Sequence, residues 1–130
     1  MLQREVAERI VAEPGSRAYG MLSVTTALVA QAWLVLDVPP EAFAPRPKVD
    51  SAVVLVEPLA VPRVPYDQVE RVARLASRLF QGRRKVLANV IEDTEALEEA
   101  GLDPRARPES VDLEALITLL SVLDRRGRSG

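Results

Sequence analysis

The chain has 130 residues, with 17 Lys and Arg against 19 Asp and Glu for a net charge of -2, ten Pro, six Gly, and neither Cys nor His. That composition excludes a disulfide framework, a thiol nucleophile, a Ser/His triad, an imidazole general base and the usual zinc sites, so no metal is expected. The length suits one modest domain or two small ones; no apolar run nears the roughly 18 to 20 residues that span a bilayer, and the first turn carries Arg4 and Glu5 where a signal peptide would be apolar, so the sequence reads as soluble and cytoplasmic.

The glycines stand at 15, 20, 82, 101, 127 and 130, and no two are spaced as G-x-G. A glycine-rich dinucleotide or P-loop therefore has no place in this chain.

Leu2 and its neighbours read as the end of a strand, after which Val6, Ala7, Ile10 and Val11 share one helical face until Pro14-Gly15 stops it. The run Leu22 to Trp33, rich in Ala, Leu and Val, predicts a second helix with Ser23 as its N-cap. Trp33 to Val38 reads as a short strand stopped by Pro39-Pro40, and the segment to Lys48, with Pro at 39, 40, 45 and 47, as a stiff irregular loop. Val49 to Val56 is apolar on both alternating faces after Asp50 and Ser51, the pattern of a strand buried within a sheet. Asp50 and Ser51 could serve as ligands or as turn caps. Two or three strands are too few to cover such a strand, which implies missing neighbours.

Pro58, Pro62 and Pro65 predict an extended linker. Beyond it the pattern is helical: from Tyr66 or Asp67 to Gly82 with Val69, Val72, Ala76, Leu79 and Phe80 on one face; from Arg84 to Ile91; from Thr94 to Ala100, closed by Gly101 and Pro104; and from Asp112 to Leu123 with Leu113, Leu116, Ile117, Leu120 and Leu123 as a stripe. From Arg125 on, an Arg/Gly/Ser tail is expected to fray. The chain thus divides into an α/β part, residues 1–60, and an all-helical part, 64–126, with a tail at 127–130.

Between Glu70 and Glu92 there is no acidic residue, while Arg71, Arg74, Arg78, Arg83, Arg84 and Lys85 all lie there. Positions 71, 74 and 78 share a helix face, and the triplet follows. Such a stripe suits phosphate contacts; it also suits a solvated face paired with the acidic segment Glu92 to Glu99. Phe43, held in the proline-rich loop, could stack on a base or plug the core. For Tyr19 and Trp33 the structural role is favoured.

Specific strings go further than composition. Met1-Leu2-Gln3-Arg4-Glu5-Val6-Ala7-Glu8-Arg9, Pro14-Gly15-Ser16, Tyr19-Gly20-Met21-Leu22-Ser23-Val24, Val38-Pro39-Pro40-Glu41-Ala42-Phe43 and Pro45-Arg46-Pro47-Lys48-Val49-Asp50-Ser51-Ala52-Val53-Val54 resemble the ribosomal RNA adenine dimethyltransferases of the KsgA type. Leu79-Phe80-Gln81-Gly82-Arg83-Arg84-Lys85-Val86-Leu87 and Gly101-Leu102-Asp103-Pro104-Arg105-Ala106-Arg107 are similar to that family's C-terminal domain. The resemblance covers nearly the whole chain in order, and F-x-P-x-P-K-V-D-S is its most specific string.

The resemblance implies the C-terminal part of a Rossmann-like, S-adenosylmethionine-dependent methyltransferase domain followed by a small helical rRNA-binding domain. Members place two methyl groups on N6 of each of two adjacent adenines near the 3′ end of small-subunit rRNA. The target base is swung out of its stack. Their N-L-P-Y loop, glycine-rich cofactor loop and cofactor-binding acidic residue at the end of the second strand have no counterpart here, so the chain corresponds to the portion downstream of that loop, with no cofactor-binding residue expected in it. By position, Phe43 matches the aromatic that stacks on the target adenine. Arg83, Arg84 and Lys85 match the basic triplet that docks on rRNA, and Arg9 and Arg107 match further RNA-contacting arginines. Gly82 departs from the pattern, standing where members commonly carry a polar or basic residue. The expectation is therefore a portion of a dimethyltransferase that meets small-subunit rRNA in the immature subunit. The alternatives are a non-catalytic rRNA-binding module and a related large-subunit rRNA adenine methyltransferase.

Overall fold

The computed structural model describes residues 1–42, 44, 45 and 48–128. Strand β1 (Leu2–Gln3) runs directly into helix α1 (Arg4–Val11), and after a turn come α2 (Met21–Val29), β2 (Ala30–Val38), a 3-10 turn at Pro40–Ala42 and β3 (Ser51–Pro58). Helices α3 (Tyr66–Gln81), α4 (Leu87–Val90) and α5 (Thr94–Glu99), a 3-10 turn at Pro108–Ser110 and α6 (Leu113–Arg125) complete the order.

The three strands form one antiparallel sheet in the order β1-β3-β2. β3 is central: Leu2 lies opposite Ala52, and the ladder with β2 runs from Ala30 opposite Pro58 to Val38 opposite Ser51, with an irregularity between Leu34 and Leu36. The strand starts at Ser51 and not at Val49, because the next residue on β2 is Pro39, which has no N–H to extend the ladder. Ser51 opens the strand, and just before it the Asp50 carbonyl accepts the Arg4 N–H at 2.9 Å.

The expectation of a buried strand is only half met. Ala52 is fully buried where α1 packs on the sheet, but Leu55 is 55% and Val56 48% exposed. Trp33 is likewise 44% exposed and not a core residue. Helices α1 and α2 lie against the sheet, and an antiparallel sheet of three strands with so few helices leaves much of its apolar surface in water.

Helix α2 ends at Val29, four residues before the end of the expected helix at Trp33. Ala30 to Ala32 are good helix formers, yet they pair with Val56 to Pro58, so tertiary pairing overrides propensity. Ser23 is not the N-cap; it sits in the first turn, where its hydroxyl accepts the Gly20 N–H and donates to the Arg9 carbonyl. That second bond ties α2 to the end of α1.

The main core is built from α2 and the later helices together. Tyr19, Val24 and Leu28 belong to the same cluster as Val72, Leu75, Ala76 and Leu79 of α3, Leu87, Ile91, Leu97 and Leu116, Leu119, Leu120, Val122 and Leu123 of α6. Full burial of one such aliphatic side chain stabilises by about 1.5 to 3 kcal/mol. Helix α6 starts on Asp112, whose carboxylate accepts the Ala115 N–H at 2.8 Å, and α5 on Asp93, which accepts from Ala96 at 3.2 Å.

Of the expected tail, residues 125–128 are described and are not frayed. Arg125 closes α6 and pairs with Glu99 at 2.8 Å, while Arg126 reaches Asp93 at 2.6 Å and Glu95 at 3.2 Å. The acidic segment that could have neutralised the basic stripe is thus engaged by arginines at the end of α6.

Among the described residues no helix is long and apolar enough to cross a membrane. Among them there is also no group of three or more His, Cys, Asp or Glu suited to a metal ion.

Candidate nucleic-acid interface

Helix α3 ends where its last N–H donors turn over: Gly82 donates to Leu79 O at 3.1 Å, and Lys85 to Gly82 O at 2.8 Å. The helix expected from Arg84 begins only at Leu87. Its first N–H groups are taken by the carbonyls of Ala106 and Pro104, at 2.7 and 2.9 Å, so the loop before Pro108 caps it and Arg83, Arg84 and Lys85 are left in a turn.

Gly82 at the root of this turn has φ -96, so its backbone does not require glycine. Space does: a Cβ there would lie 2.6 Å from Val90 Cγ2. The departure from the family pattern at this position is matched by a valine side chain packed over the missing Cβ.

The three basic side chains are not equivalent. Arg84 and Lys85 are exposed and make no ion pair among the described residues. Arg83 is half-buried; its Nη2 donates to the Arg17 carbonyl at 2.8 Å, and its guanidinium carbon lies 5.9 Å from the centroid of the Phe80 ring. Phe80 in turn meets Tyr19 edge-on, with centroids 5.7 Å apart and planes at 74°.

Tyr19 is buried, and its hydroxyl donates to the Val111 carbonyl at 2.7 Å. Burial, with the Asp112 carboxylate as a lesser cause, pushes its phenol up to about 12. Gly15, at φ 89, donates its N–H to the Glu109 carbonyl at 2.6 Å. Segment 15–20 is therefore fastened to the helical half by Glu109, Val111, Phe80 and Arg83.

The stripe on α3 is largely neutralised within its own neighbourhood. Arg71 makes two bonds to Asp124 on α6 and one to Gln68, Arg74 pairs with Glu70 at 2.8 Å, and Arg78 donates to the Val90 carbonyl at 3.3 Å. The hydrogen bond to Asp124 raises the Arg71 guanidinium above its usual range. Around Asp93, the bond from Arg126 holds the carboxyl below its usual range.

Of the other sequence-derived candidates, Arg9 lies on the exposed face of α1 and pairs with Glu5 at 2.7 Å. Arg107 is exposed and its carbonyl accepts from Ser110. Among the described residues no hydrogen bond or ion pair joins either to the basic turn. Phe43 lies outside the described residues. The sequence singled out the triplet but not its supports: Phe80 looked like one more apolar residue of a helix face, and nothing local marks Arg17 or Val111 as partners.

The family model for ribosomal RNA adenine dimethylase matches residues 1–124. The chain is 48% identical over 122 residues to ribosomal RNA small subunit methyltransferase A of Mesorhizobium japonicum, covering 92% of this chain and 43% of that protein. It is 47% identical over 132 residues to the protein of the same name from Ruegeria pomeroyi, covering 96% and 46%. The chain thus spans under half the length of the curated relatives it matches. Among solved structures, a dimethyladenosine transferase from Plasmodium falciparum superposes with a TM-score of 0.83 at 21% identity, over 96% of this chain and 56% of that one. The 23S rRNA methyltransferase ErmE gives 0.67 at 26% identity, over 94% and 52%. The small sheet and the helices packed behind it are thus part of a methyltransferase fold, and the chain belongs to the ribosomal RNA adenine dimethylase family.

Proposed function

We propose that the chain serves as the C-terminal portion of an S-adenosylmethionine-dependent rRNA adenine N6,N6-dimethyltransferase of the small subunit, and that it contributes rRNA binding. In this reading residues 1–60 close the catalytic domain and 64–126 form the RNA-docking part. The observation that carries it is the family match over residues 1–124. Arg84 and Lys85, exposed and without an ion pair among the described residues, support an RNA contact at the basic turn. Arg9 and Arg107, both exposed, are assigned as outlying RNA contacts and Phe43 as the base-stacking residue on the resemblance alone. The partner is small-subunit rRNA within the immature subunit, in the cytoplasm.

In this reading S-adenosylmethionine is assigned to no residue of this chain; the support is that no two of its glycines are spaced as G-x-G, and no catalytic step is routed through the cofactor here. Incubating the chain with S-adenosylmethionine and unmethylated small subunits tests the assignment: binding without methyl transfer is expected, and methylation above background overturns it. The likeness to ErmE keeps a large-subunit RNA as the second reading. Tighter binding to large-subunit than to small-subunit RNA would establish that one.

A further inference from the structure

We propose that Arg83 is a positioning residue that holds the basic turn against segment 15–20, while Arg84 and Lys85 are the members of the triplet that meet RNA phosphate. The inference rests on the RNA-binding reading above and divides the labour within it.

Its basis is the difference in what each side chain already does. Arg84 and Lys85 would exchange only water for a phosphate. Arg83 would have to leave a charge-assisted bond to the Arg17 carbonyl and the face of Phe80. Its Nη1 also lies 3.5 Å from where a Cβ on Gly20 would stand, so the guanidinium is laid along the backbone of the segment from Arg17 to Gly20. That segment is itself fixed by the bonds of Gly15 to Glu109 and of Tyr19 to Val111. On the other side the turn is fixed by the Lys85 N–H on Gly82 O and by Val90 over Gly82. The turn is thus gripped from both sides, and Arg83 is the side chain that registers it to the part of the chain carrying the sheet. A planar fork suits this task, since one face can lie on a ring while an edge donates to a carbonyl; an ammonium cannot do both.

The test uses the full chain and a transcript of the 3′ domain of small-subunit rRNA, with affinity measured against salt well below the melting temperature. R84A and K85A should each flatten the slope of log K against log salt by about 0.7 to 0.9 and leave melting unchanged. R83A should weaken binding about five- to tenfold at fixed salt with the slope kept and melting lowered. R83K, which retains the charge, and F80L, which alters none, should weaken binding in the same way and serve where R83A folds poorly. A slope loss in R83A equal to that of R84A overturns the inference, as does unchanged affinity in both R83K and F80L. Unchanged slopes in R84A and K85A would overturn the RNA-contact reading itself, a different result.

Discussion

The Tyr19 hydroxyl donates a 2.7 Å hydrogen bond to the carbonyl of Val111, joining the turn before α2 to the residue just before the Asp112 cap of α6. Both residues are buried, so neither group can turn to water if the other is removed. Tyr19→Phe should therefore cost about 1 to 3 kcal/mol, the penalty of an unpaired buried carbonyl, read by urea unfolding.

The same phenol gives a pH test. Because its folded value is raised to about 12 from an ordinary 10, the folded chain holds the proton while the unfolded chain releases it. Its contribution is complete below pH 10 and falls away between about 10 and 12. Melting temperatures across that window should drop more steeply in the parent chain than in Y19F.

Asp93 makes the opposite prediction at low pH. Hydrogen bonding from Arg126 lowers its carboxyl, so the stability it contributes is present above the ordinary value of 3.8 and is lost as pH falls through the lower folded value. Asp93→Asn keeps a capping oxygen for Ala96 and removes the charge, and should flatten the acid limb of a melting curve. Asp93→Ala removes the cap as well and should melt lower still at neutral pH.

At Gly82 the expected cost is steric. Adding a methyl group against Val90 should destabilise Gly82→Ala by about 1 to 3 kcal/mol. The double variant G82A/V90A should recover part of that loss, since the clash is with a side chain and the backbone angle is ordinary. Equal losses in the single and double variants, by chemical denaturation, would refute this account.

The sheet carries a prediction about behaviour in solution. Trp33 and Leu55 stand opposite each other across β2 and β3, and both are about half exposed, as is Leu36, whose partner Val53 lies on the same face as Leu55. An apolar patch of this kind favours self-association. Leu55→Lys should reduce both dye binding and concentration-dependent association in sedimentation, while Trp33 emission should already be that of a partly solvated indole.

Much of this architecture was legible in local pattern. The faces of α3 and α6 follow 3.6-residue periodicity, and Gly101, at φ 81, and the N-cap Asp112 mark helix ends where backbone chemistry favours them. What local pattern could not supply were the outcomes decided at long range. Ala30 to Ala32 became strand because β3 lay alongside, Arg84 to Val86 stayed out of the helix because Ala106 and Pro104 took its first donors, and the terminal arginines were ordered by Asp93. The triplet was visible as charge. Its division into one engaged cation and two exposed ones needed Phe80 and Arg17 brought to the same place.

Tyr19, Val24 and Leu28 share their cluster with α3 and α6, whereas no residue of β2 belongs to it, Ala30 being buried outside it. Opening α2 to solvent therefore means dismantling the interior of the later helices as well. Amide protons of α2 should exchange with deuterium at the slow pace of α6, and those of Val35 and Leu36 much sooner. Along the chain, the boundary between slow and fast exchange would fall at Ala30, within an apolar stretch from Ala27 to Leu36 that Gln31 alone interrupts.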